Sequence, residues 1–75
     1  MTMKTQEEAW AAKTAFRNLF GGSPWLRGVG VGYEEALGYT VRVNVYSEAD
    51  KRNVPAEING VAIVVCVVGK IRALN

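Results

Sequence analysis

Every position from Val61 to Val68 is apolar, and most of them are β-branched. Such a run suits a strand buried on both faces, because a half-buried strand would alternate with polar residues. It is far too short to span a membrane. A chain that carries it must cover both sides of a sheet, and this chain has only 75 residues with which to do so. That length makes one domain, near the lower limit of what a single core stabilises. Covalent staples cannot help. Cys66 is the only cysteine and there is no histidine, so neither an intrachain disulfide nor a structural zinc site is expected.

The helix that would cover one face is written at the start of the chain. Thr5-Gln6-Glu7-Glu8 has the form of a capping box, with Thr5 as N-cap and Glu8 reaching back. No Gly or Pro follows until Gly21-Gly22, so a helix is predicted over residues 5–20. Ala9, Ala12, Phe16, Leu19 and Phe20 fall on one stripe, bordered by Ala15. Trp10 lies off that stripe, with Met3 and Arg17 seven residues to either side.

Strands follow. In Gly28-Val29-Gly30-Val31-Gly32 valine and glycine alternate at period 2, so a strand over 27–33 has a valine face and a bare face. Glu34 to Gly38 reads as a hairpin loop. A second strand over 39–46 places Tyr39, Val41, Val43 and Val45 on one face and Thr40, Arg42, Asn44 and Tyr46 on the other. Trp25 and Leu26, too apolar for a free loop, are expected to plug the end of the core. Ser47 to Gly60 is longer than a hairpin needs, which allows the strand over 61–68 to run parallel to the second. Residues 70–74 could add a short last strand.

The expected architecture is α+β: one N-terminal helix on a three- or four-stranded sheet, a two-layer sandwich forming a single domain over residues 1–75. One helix covers one face only. The apolar positions on the second face imply cover by Trp25, by the long connection or by another copy of the chain, and self-association is expected, a dimer first. Burying one such side chain contributes about 1.5–3 kcal/mol.

No residue pattern points to catalysis. Gly28, Gly30 and Gly32 do not complete a phosphate-binding loop: Tyr33 stands where the motif would continue, no helix follows, and no Walker lysine is present. Cys66 sits among valines with no histidine to activate it, as a small buried hydrophobe would. The expectation is a protein without catalytic residues, cofactor or metal. The net charge of +2 is short of a nucleic-acid footprint. With a lone thiol and no targeting or membrane segment, the sequence fits a reducing cytoplasm.

Two candidate contact surfaces stand out. One is Trp10 with Met3 and Arg17, since tryptophan and arginine anchor interfaces. The other is the helix-free sheet face around Arg42 and Tyr46. The first expectation is therefore an interaction or accessory module that associates with itself or with a protein partner. The alternative is a small single-stranded nucleic-acid binder, for which Arg42 and Tyr46 form a thin platform.

Gly28 to Gly32, Gly38 to Val45, Val54 to Val61 and Gly69 form a pattern: G-V-G-x-G, then G-Y-x-V-x-V-x-V, then V-P-x-x-I-x-G-V, an apolar strand and a glycine. In this pattern the chain from Gly28 to Leu74 resembles a small uncharacterised bacterial domain family that also occurs beside trypsin-like peptidase domains. The resemblance implies a fold unit and an association with proteases. It supplies no site residue, since a protease triad needs a histidine.

Overall fold

A computed structural model describes residues 4–68 of the chain. Helix α1 (Gln6–Phe20) begins at the expected box. The Glu8 N–H donates to Thr5 Oγ1 at 3.2 Å, and the Thr5 N–H donates to Glu8 Oε1 at 2.8 Å. Two backbone donors that a helix start leaves unpaired are thereby satisfied. At the other end the Gly21 N–H donates to the Arg17 carbonyl at 2.8 Å.

Strands β1 (Leu26–Glu34) and β2 (Gly38–Val45) form an antiparallel hairpin. Gly38, at φ +82°, closes its turn. After β2, a 3-10 helix over Glu48–Asn53 opens the long connection. A two-residue strand β3 (Glu57–Ile58) then turns at Asn59-Gly60 into β4 (Val61–Val67). Both turn residues have positive φ, 51° and 80°, as a tight hairpin of this twist requires.

The sheet order is β1-β2-β4-β3, with β4 parallel to β2. The long connection is thus a crossover. The fourth strand is β3, not the segment 70–74, which lies outside the described residues. Before β4 begins to pair at Val41, Lys4 occupies the same edge of β2, its carbonyl accepting the Tyr39 N–H at 3.2 Å.

The core forms where α1 lies on the hairpin. Ala9, Ala12 and Phe16 are fully buried against Val41, Val43, Val45 and Val61. The alanines let the first half of the helix approach closely. At the other end Phe16, Phe20 and Trp25 fill the gap, with ring centroids 4.7 and 5.8 Å apart in succession. Trp25 and Leu26 pack on this core as expected.

Two expectations are corrected. Leu19 is 70% exposed. The buried arc is narrower than the stripe, and the aromatic stack closes the core before reaching Leu19. The run Val61–Val68 is not buried on both faces in the single chain: Val61 is buried, Ala62 to Cys66 are half-buried, and Val67 and Val68 are exposed. With α1 on one side only, the other side of β4 has no covering layer among the described residues.

Candidate functional site

The helix-free face is laid out by register. Gly32, Thr40 and Gly30, Arg42 are cross-strand partners on β1 and β2, and Arg42 is in turn the partner of Val64 on β4. Gly28, Asn44 and Cys66 form the next row. This face therefore runs from bare backbone, through three polar side chains, to a small apolar strip.

Arg42 occupies part of the bare region. A Cβ built on Gly32 would lie 2.6 Å from both Cγ and Cδ of Arg42. The same side chain donates from Nη2 to Cys66 Sγ at 3.4 Å. That bond to sulfur raises the Arg42 pKa above its already high ordinary value, so the group is a permanent cation. Asn44 fills the space over Gly28, with Nδ2 3.3 Å from a Cβ built there. Over Gly30 nothing lies within 4 Å.

Tyr46 does not join Arg42. Four residues along an extended strand separate them by about 13 Å. The Tyr46 ring instead meets the Arg27 guanidinium, 5.1 Å from its centroid. Arg27 would belong to the helix face by alternation, but the register slips between Leu26 and Gly28, and Arg27 is the bulged residue. Its Nη1 donates to the Pro24 carbonyl at 2.8 Å.

Trp10 is half-exposed, and Lys13 Nζ lies 4.1 Å over its ring. Arg17, seven residues on and so on the same side of the helix, lines a recess of about 360 Å³ with Gly21 and Leu26 to Val29. That side of α1 therefore overlooks β1. Met3, the third member of the expected set, lies outside the described residues.

β1 is the outermost strand on its side of the sheet. Its outer edge has no hydrogen-bonding neighbour among the described residues. The other end of the sheet is better closed: β3 pairs with the start of β4, the Ile63 N–H donates to the Ala56 carbonyl at 2.9 Å, and the 3-10 helix contacts β4.

No family model, curated protein or solved structure matches the chain.

The site is accordingly described by its chemistry alone. Among the described residues no helix is long and apolar enough to cross a membrane. Three features lie around the sheet: the open outer edge of β1, the half-exposed Trp10 on the helix side, and Arg42 as a cation on the helix-free face. Of the residues expected from sequence, Trp10 and Arg17 share one side of the helix above β1. Arg42 stands on the opposite side of the sheet. Sequence patterning missed the free edge of β1 and the pairing of Arg27 with Tyr46. The first depends on strand order and the second on a bulge, and neither leaves a local signal.

Proposed function

We propose that this domain is a non-enzymatic interaction module that associates with copies of itself. One observation carries this: the single helix covers only one face of the sheet, and among the described residues the outer edge of the nine-residue strand β1 (Leu26–Glu34) has no partner strand. Unpaired edges are templates for another strand, and monomeric proteins tend to block them with charge, proline or short length. The flat part of β1 has valine and glycine where such blocks would stand. Trp10 at 51% exposure and Tyr33 at 58% add apolar surface that a contact would cover.

Sedimentation velocity at low and high micromolar concentration tests this. The expected result is a sedimentation coefficient that rises with concentration. A species that stays monomeric throughout would remove the proposal.

The second reading, a single-stranded nucleic-acid binder, draws on the Arg27–Tyr46 pair, which offers a ring and a cation side by side. Fluorescence anisotropy with mixed-sequence single-stranded DNA at low salt tests it. Binding that weakens steeply as salt rises supports it. Unchanged anisotropy at low salt excludes it.

A further inference from the structure

Resting on the self-association reading, we propose that two copies join through antiparallel pairing of their β1 strands about a two-fold axis at Gly30, making one continuous eight-stranded sheet.

The occupant of the edge is a second copy because β1 is complementary to itself. In antiparallel pairing, residues directly opposite each other point to the same face. With Gly30 on the axis, Val29 of each copy faces Val31 of the other on the helix side, where both valines are only half-buried in the single chain. Gly28 faces Gly32 on the other side, so no side chains collide there. Arg27 and Glu34 stand at opposite ends of the strand. The two-fold therefore sets the Arg27 of each copy within one residue of the Glu34 of the other, at both ends. Pairing the strands in parallel would instead place like charges together. A two-fold axis perpendicular to the sheet also closes the assembly at two copies, since each chain uses up the one long free edge found among the described residues.

The bulge at Arg27 limits the paired stretch. Beyond it the strand is no longer flat, so Gly28 to Gly32 carry the ladder. Trp10 and Arg17, on the side of α1 above β1, then border the junction between the two helices.

Gly30→Lys tests the geometry. Nothing lies within 4 Å of a Cβ at Gly30, so the monomer can accept the side chain. In the dimer the two lysines would stand opposite each other on the axis. The expected result is a dissociation constant raised about tenfold or more, with the circular dichroism spectrum unchanged. Wild-type dimerisation that Gly30→Lys leaves unaltered would overturn the β1 pairing and leave self-association intact. A wild-type monomer at every concentration would overturn both. Hydrogen exchange gives an independent readout should the variant misfold. Protection that grows with concentration at the Val29 and Val31 amides, which point away from β2, supports the pairing. Protection that grows at Ala62 to Cys66 instead places the contact on the helix-free face and overturns it.

Discussion

The stem of Arg42 fills the space above Gly32 that a side chain there would need, with Cγ and Cδ both 2.6 Å from the position of a Cβ. Gly32 is thus glycine for a packing reason, with the backbone extended. Gly32→Ala must push the Arg42 stem aside and disturb its contact with Cys66. The expected cost is about 1–2 kcal/mol in urea denaturation. In an Arg42→Ala background the same change should cost much less, because the two residues are coupled. Equal costs in both backgrounds would show that the backbone, not Arg42, sets the requirement.

Thr40, the cross-strand partner of Gly32, is fully buried. Its Oγ1 has no hydrogen-bond partner among the described residues. A buried hydroxyl without a partner carries a desolvation cost and returns nothing for it. Thr40→Val keeps the shape and removes that cost, and should raise stability by about 1 kcal/mol. A lower melting temperature for the valine variant would contradict this.

The two aromatic residues Trp10 and Phe16 should behave oppositely. Phe16 is fully buried at the centre of the helix–sheet contact, and Phe16→Ala is expected to cost about 3–5 kcal/mol, enough to unfold a domain this small. Trp10→Ala should cost less than about 1 kcal/mol in the monomer and should weaken self-association. Similar losses of stability for the two would mean that Trp10 belongs to the core.

The start of α1 makes stability depend on pH. The Glu8 carboxyl is held below its ordinary value of 4.5. The Thr5 backbone N–H is the main cause; desolvation opposes it, while the Thr5 hydroxyl and Lys4 assist. The unfolded chain therefore takes up this proton at a higher pH than the folded chain does. The stabilisation is complete above the unfolded value and disappears as the pH falls through the lower folded one. Wild type should melt above Glu8→Gln at neutral pH, and the gap should close in acid. A gap that persists in acid would assign the effect to something other than the ionised carboxylate.

The parts of the fold that were legible in the sequence are those fixed by near neighbours. The capping box of Thr5 and Glu8 lies within a single turn, and the alternation in β2 is strict. The same alternation placed Arg42 on the helix-free face, but which glycine its stem covers is set by the register between β1 and β2. Leu19 was misplaced because helical spacing defines a stripe but not its width, which the Phe16–Phe20–Trp25 stack determines. β3 is two residues long and carries no periodicity. Arg27 changed sides through a bulge that only the register reveals. The free edge of β1 follows from strand order, set by contacts between residues far apart in the chain. Of the proposed contact surface, the exposure of Trp10 could be expected from its place off the helical stripe, whereas the free edge of β1 could not.

The parallel pairing of β2 with β4 also has a consequence for how the chain reaches this structure. The β1–β2 hairpin and α1 can form from neighbouring segments. β4 must wait for the crossover from Ser47 to Gly60 to close, and such non-local pairing is slow. Until then the most apolar segment of the chain stays unsheltered, with the β-branched, uncharged composition that favours intermolecular cross-β stacking. Crowded refolding should therefore lose material through Val61 to Val68, and a charge at exposed Val67 should raise the recovered yield by guarding the strand that arrives last.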